Sequence, residues 1–71
     1  MGDFDVEGGL KSVASALDLL DCFMQDEELG VSEVARRLGV AKSTAHRLLT
    51  TLTSRGFIEQ NHGNGRYRLE I

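Results

Sequence analysis

The sequence predicts a mainly α-helical domain with a small β-hairpin, in the winged helix-turn-helix class of three helices plus a wing. Two observations lead to this prediction. A short helical pattern stops at Gly39 and is followed closely by a longer amphipathic pattern, which is the spacing of a helix-turn-helix. Near the C-terminus, a segment rich in Gly and Asn separates two short runs that read as strands. A chain of 71 residues has room for one core.

The composition narrows the classes of protein that the chain can belong to. Hydrophobic residues make up 41% and charged residues 27% of the sequence, which fits an ordinary folded domain. No apolar run approaches the roughly 18 residues of a membrane span, and the start MGDFDV lacks the basic n-region expected of a signal peptide. We therefore expect a cytoplasmic protein with no membrane partner. A single cysteine, Cys22, excludes an internal disulfide framework and a cysteine-rich zinc site.

Charge is distributed unevenly along the chain. The net charge of −3 argues at first against a nucleic-acid partner. However, residues 1–34 carry nine acids against one lysine, a net charge of −8, whereas residues 35–71 carry seven bases against two acids, a net charge of +5. This asymmetry predicts one acidic and one basic surface.

The first helix is expected to follow a flexible arm. Residues 1–9 contain the pair Gly8-Gly9 and three acids and read as the arm, which leaves residues 10–71 as the folded domain. Ser12 is a plausible N-cap, and one helical face then collects the apolar residues Val13, Ala16, Leu17, Leu20, Phe23 and Met24. Leu19 and Cys22 lie away from that face, so we expect Cys22 to be an incidental exposed residue or part of a subunit contact.

The second helix is short. Ser32 offers an N-cap, and Glu33 places a negative charge at the positive end of the helix dipole. Gly39 provides a left-handed stop. Between them lies an apolar stripe, with two basic residues pointing outward near the C-terminal end: Val34, Ala35 and Leu38, and then Arg36 and Arg37.

The third helix, over residues 43–55, has two faces of different chemistry. Its core stripe follows the i, i+3, i+4, i+7 pattern in Ala45, Leu48, Leu49 and Leu52. The opposite face carries Ser43, Arg47, Thr50 and Ser54, with His46 and Thr51 beside them. Such hydrogen-bonding groups suit phosphate oxygens and base edges. Taken alone, the pattern equally fits an ordinary solvated face.

The C-terminal segment predicts a hairpin. Residues 57–60 and 66–71 read as strands around a Gly- and Asn-rich loop, and residues 61–66 would form the wing. Arg66 and Arg68 flank this loop, as in a wing that contacts phosphates or the minor groove. A hairpin that merely closes the core would look the same.

Histidine and cysteine raise the question of catalysis or metal binding. Ser43 and His46 lie one helical turn apart, but no acid is placed to orient the imidazole. His62 lies in a loop, and Cys22 has no metal-motif spacing to either histidine. We therefore expect no enzyme activity, no metal and no cofactor.

The whole pattern resembles the N-terminal DNA-binding domain of the IclR family of bacterial transcriptional regulators. The resemblance lies in SVASALDLL at residues 12–20, VSEVARRLGVAKSTAHRLLTTL at residues 31–52, and RGFIEQ and GRYRL within residues 55–69. The string KSTAHRLL followed at this distance by RGFIE and GRYRL is much more specific than a helix-turn-helix pattern in general. One departure is Ala41, which stands where such proteins often have proline and leaves the entry to the third helix less rigid.

The resemblance implies binding to double-stranded DNA, as a repressor or an activator, with the third helix in the major groove. Full-length members act as homo-oligomers on palindromic operators and sense a small-molecule effector through a C-terminal domain, so this chain is expected to be a fragment without that domain. Two rivals remain: a winged helix that contacts another protein, favoured by the acidic half, and another helix-turn-helix family such as the MarR type.

Under this hypothesis the candidate DNA-binding residues have two roles. Phosphate anchors would be Arg36, Arg37, Lys42, Arg55, Arg66 and Arg68, and base edges would be approached by Ser43, Thr44, His46 and Arg47. Arg47 is the candidate for bidentate recognition of guanine, although it could equally grip a phosphate. Ser43 could instead simply cap the helix.

Overall fold

The chain folds as three helices followed by a two-stranded hairpin. A computed structural model describes residues 11–70. The elements are α1 (Lys11–Gln25), α2 (Val31–Leu38), α3 (Lys42–Ser54), β1 (Ile58–Gln60) and β2 (Tyr67–Leu69). This order confirms the predicted fold class. The expected arm at residues 1–9, and Ile71 as a strand residue, lie outside the described residues.

The hairpin is tied to the loop between α1 and α2. Strands β1 and β2 pair antiparallel, with Glu59 opposite Arg68. Leu29, in the α1–α2 loop, adds a β-bridge to Tyr67, in which the two residues exchange backbone hydrogen bonds of 2.9 Å each. The sequence analysis does not predict this bridge, which is a finding of the structure.

The core draws on every element. Its buried members are all hydrophobic, and the helices and the hairpin each contribute: Leu19, Phe23, Leu29, Val34, Ala45, Leu49, Leu52, Ile58 and Tyr67. The predicted stripe of α3 is confirmed, with Leu48 half-buried at its edge. The core therefore fixes α3 by one face and leaves its other face outside.

The predicted core face of α1 is wrong only in part, because Phe23 is buried and Ala16 and Leu20 are half-buried. Val13, Leu17 and Met24 are 55%, 61% and 77% exposed, whereas Leu19 is fully buried. The apolar residues of α1 form two overlapping stripes with helical spacing, and the contacts with α2 and β2 select the stripe that contains Leu19 and Phe23.

The predicted position of Cys22 is wrong for the same reason. The side chain is half-buried and packs against the core instead of lying on the outer side of α1. The rotation of the helix that buries Leu19 also turns Cys22 inward, because the two residues are nearly one turn apart.

Neither predicted serine cap forms. Helix α1 already includes Lys11, so Ser12 lies within it. The N-cap of α2 is Gly30, and Ser32 lies inside the helix. The Gly30 N–H instead donates to the Glu33 carboxylate at 2.9 Å, so the acid at the third helical position performs the capping.

The helix stop at Gly39 is confirmed. Gly39 has φ of 69°, in the left-handed region that a residue with a Cβ enters only at a cost. Helix α3 begins at Lys42, one residue before the predicted start, because Ala41 is extended and serves as N-cap. The helix ends at Ser54, with Arg55 as its C-cap rather than its last residue.

Candidate nucleic-acid interface

Helices α2 and α3 form the helix-turn-helix unit. They pack against each other, with Val34 and Ala45 fully buried in the core they share. The left-handed turn at Gly39 reverses the chain between them, and the Val40 N–H donates to the Ala35 carbonyl at 3.0 Å. This packing buries the apolar face of α3 and leaves its polar face exposed.

The polar face of α3 is exposed along its length, as predicted. Its side chains combine hydroxyls with one imidazole and one guanidinium: Ser43, Thr44, His46, Arg47, Thr50, Thr51 and Ser54. The Ser54 hydroxyl donates to the Thr51 carbonyl at 2.7 Å, so it is already engaged by its own helix.

The N-terminus of α3 offers unpaired amides. The first backbone hydrogen bond of the helix runs from the Ala45 N–H to the Ala41 carbonyl at 3.0 Å. The amides of Lys42, Ser43 and Thr44 therefore precede the helical ladder, and no side chain of the described chain caps them. Ser43 is the second helical residue, not the N-cap. A helix N-terminus with unpaired amides and a lysine at its first position is a favourable binding site for an anion.

Two open depressions border this face. One, of about 220 Å³, is lined by Thr44, Arg47, Leu48 and Thr51. The other, of about 320 Å³, separates α3 from the hairpin and is lined by His46, Thr50, Thr53, Ser54, Gln60 and Tyr67. Side chains of the polar face of α3 thus line both depressions.

Three of the predicted basic residues are ion-paired within the protein. The guanidinium of Arg37 contacts Asp26 at 2.5 Å, and that of Arg68 contacts Glu59 at 2.8 Å. Arg66 contacts Glu33 at 2.7 Å. Each of these charges is locally compensated.

The remaining basic candidates are free of such pairs. Within residues 11–70, no carboxylate lies within salt-bridge distance of Arg36, Lys42, Arg47 or Arg55. All four side chains are exposed. They therefore form the uncompensated positive charge of the helix-turn-helix unit, and we call them the free cations.

The ion pairs shift pKa values in the expected directions. The hydrogen bond with Asp26 raises the pKa of Arg37, and the hydrogen bond from Arg68 lowers the pKa of Glu59. The pKa of Glu70 is raised because it shares a hydrogen bond with the neighbouring Glu59 carboxylate. These acids lie on the hairpin, away from the polar face of α3.

The wing, residues 61–66, is a closed loop held by its own asparagines. The Asn61 N–H donates to the Arg66 carbonyl at 2.6 Å, and the Gly65 N–H donates to the Asn61 carbonyl at 2.6 Å. The Asn61 side-chain oxygen accepts from the Gly63 N–H at 2.8 Å, and that of Asn64 accepts from the Arg66 N–H at 2.9 Å. Asparagine oxygens therefore shape the tip through local turns.

The side chain of Arg66 turns back toward α2. Its Nη2 donates to the Glu33 carboxylate at 2.7 Å and to the Glu28 carbonyl at 3.0 Å. The Glu28 carboxylate in turn accepts from the side-chain amides of Asn61, at 3.3 Å, and Asn64, at 3.2 Å. Sequence analysis missed Glu28 altogether, because no local pattern links residues more than 30 positions apart.

Residues 11–70 contain neither a cluster of metal-ligating side chains nor a membrane-spanning helix. No group of three His, Cys, Asp or Glu side chains in residues 11–70 is placed to hold a metal ion. The longest helix in this range, α1, has 15 residues, and none of its helices has the length and apolar character needed to cross a membrane.

Comparisons with known proteins agree with this geometry. The protein-family model of the IclR helix-turn-helix domain matches residues 12–62 of this chain. The HTH-type transcriptional regulator XynR of Escherichia coli K12 is 46% identical over 61 residues, covering 84% of this chain and 24% of XynR. The glycerol operon regulatory protein of Streptomyces coelicolor is 50% identical over 44 residues, covering 62% of this chain and 17% of that protein.

A solved structure has the same fold. The crystal structure of an IclR family transcriptional regulator from Brucella abortus superposes with a TM-score of 0.79 at 36% identity, covering 84% of this chain and 24% of that chain. The chain thus spans about a quarter or less of the length of these relatives.

Proposed function

The chain belongs to the IclR helix-turn-helix family and is the DNA-binding domain of a transcriptional regulator, and we propose that α3 reads base edges in the major groove of double-stranded DNA. The observation that carries the proposal is the uncapped N-terminus of α3, where free amides, Lys42 and a hydroxyl-rich exposed face occur together. In helix-turn-helix proteins the N-terminal residues of the second helix approach the bases.

The proposed roles separate positioning from sequence reading. The free cations Arg36, Lys42 and Arg55 anchor phosphates, because their charge has no partner among the described acids. Base edges are approached from the exposed face by Ser43, Thr44, His46 and Arg47. Arg47 is proposed to bind guanine, since a guanidinium matches its two acceptors in the major groove.

The ion-paired arginines are proposed as secondary phosphate contacts. Arg37 and Arg68 are exposed, and a surface ion pair contributes little enough to stability to be exchanged for a phosphate. Arg66 is held more firmly, through two acceptors. The wing at residues 61–66 is proposed to lie on the DNA backbone or in the minor groove.

The properties of the whole protein are also proposals. We propose that it is a cytoplasmic homo-oligomer that binds a palindromic operator, and that a small-molecule effector acts through a further domain. The relatives are at least four times as long as their match to this chain, which leaves room for such a domain. The exposed apolar residues Val13, Leu17 and Met24 on α1 offer a surface for subunit contact.

Selection from a random double-stranded DNA library tests the proposal. The wild-type chain should enrich one half-site, or an inverted repeat if it dimerises. Thr50→Glu adds a negative charge on the exposed face of α3 and should abolish enrichment. Ala14→Glu adds the same charge at an exposed position of α1 and serves as the matched control. If neither the wild-type chain nor an artificially dimerised version enriched any sequence at low salt, the proposed function would be wrong.

A further inference from the structure

An acidic side chain holds the tip of the wing. The two carboxylate oxygens of Glu28 each accept a hydrogen bond from a different asparagine amide of the wing, Asn61 at 3.3 Å and Asn64 at 3.2 Å. The same two asparagines use their side-chain oxygens to shape the loop, toward Gly63 and Arg66. Glu28 therefore binds the two residues on which the wing conformation depends.

The backbone of Glu28 belongs to the same network. Its carbonyl accepts from Arg66 Nη2 at 3.0 Å, and this nitrogen also contacts Glu33, the acid that caps α2 through the Gly30 N–H. The Nε of Arg66 is buried without a hydrogen-bond partner in the described structure. Through Nη2, the guanidinium joins the base of the wing to the first turn of α2.

We propose that Glu28 is a positioning residue for DNA recognition. It tethers the wing to the start of α2, so that the wing and α3 contact the DNA in one fixed relative orientation. The inference rests on the proposed function. A loop that is already ordered in its bound conformation loses less entropy on binding, so its contacts add more to affinity. Glu28 would touch no DNA itself.

Electrostatics alone predicts the opposite effect. An acid next to a DNA-binding surface repels phosphates, so its removal should strengthen binding. If Glu28 instead positions the wing, its removal should weaken binding despite the favourable change in charge. The sign of the effect therefore separates the two accounts.

The test compares Glu28→Ala with Glu27→Ala in the 71-residue chain, on the site selected by the wild type. Both variants remove one negative charge from the same loop, but Glu27 is exposed and makes no hydrogen bond to the wing in the described structure. We expect Glu28→Ala to bind about 3- to 10-fold more weakly than Glu27→Ala. Hydroxyl-radical footprints should lose the protection that flanks the α3 contacts and keep the central protection.

Hydrogen exchange tests the tether in the free protein. The amides of Gly63 and Gly65 should exchange faster in Glu28→Ala than in Glu27→Ala, whereas exchange in α3 should be the same in both, which also shows that the variants fold. Equal affinity, equal footprints or unchanged exchange at the wing would overturn the inference. Failure of the wild type and Glu27→Ala to bind any DNA would overturn the proposed function, and the positioning role with it.

Discussion

Leu29 and Tyr67 exchange two backbone hydrogen bonds of 2.9 Å, which pairs the loop before α2 with β2 through an isolated β-bridge. Both side chains are buried in the same core as Val34 of α2. The bridge and the shared core therefore connect the hairpin to the helix-turn-helix unit.

The core face of α1 can be tested by two leucines that lie close together. Leu19→Ala removes a fully buried side chain and should lower the free energy of unfolding by about 2–5 kcal/mol. Leu17→Ala, at a residue 61% exposed, should change it far less. Urea denaturation of both variants measures the difference. Equal losses would mean that the two stripes of α1 share the core.

The turn between α2 and α3 depends on the left-handed backbone at Gly39. Gly39→Ala should destabilise the domain by about 1–2 kcal/mol, because its Cβ strains this conformation although it meets no atom within 4 Å. Gly39→Asn is the control, because asparagine adopts the left-handed conformation more readily than alanine. Thermal unfolding should rank the two variants in that order, and the reverse order would contradict the role of Gly39.

Arg47 is the residue proposed to read the DNA sequence. Arg47→Ala should reduce discrimination against a substituted guanine by roughly 1–3 kcal/mol, while other positions of the site keep their preference. Arg36→Ala removes a proposed phosphate anchor and should weaken all sites alike. Competition titrations with single-base variants measure both effects. If Arg47→Ala also weakened every site uniformly, Arg47 would be a phosphate contact.

Acid should release the wing. Hydrogen bonds from Asn61 and Asn64 lower the pKa of Glu28 from its ordinary value of 4.5. A carboxyl whose folded pKa is depressed stabilises the fold above its unfolded pKa, and the stabilisation is lost as pH falls through the folded value. The side-chain amide resonances of Asn61 and Asn64 should therefore shift together below pH 4.5. In Glu28→Gln this titration should disappear; its persistence would assign it to another acid.

The sequence predicted the structure correctly where its pattern allowed only one local conformation or one buried face. Helix α3 has a single apolar stripe, so its buried and exposed faces followed directly from Ala45, Leu49 and Leu52. The stop at Gly39 followed from the special conformational freedom of glycine. The Gly- and Asn-rich loop likewise predicted the hairpin.

The sequence could not predict features that depend on tertiary contacts, such as which of two possible helix faces is buried. Leu17 and Leu19 belong to two stripes of α1 with the same periodicity, and only packing against the rest of the fold decides between them. Whether an arginine is free or paired is equally non-local. Arg66 and Glu33 are 33 residues apart, and no motif in the sequence predicts their contact.

The salt dependence of DNA binding tests the central claim, that the free cations carry the interaction, most directly. The logarithm of the association constant should fall linearly with the logarithm of salt concentration, and alanine at each proposed phosphate anchor, Arg36, Lys42 or Arg55, should reduce the slope by about one. Arg36→Lys keeps the charge and should keep the slope. A wild-type slope near zero, or a slope that none of the three alanine substitutions changes, would contradict the account.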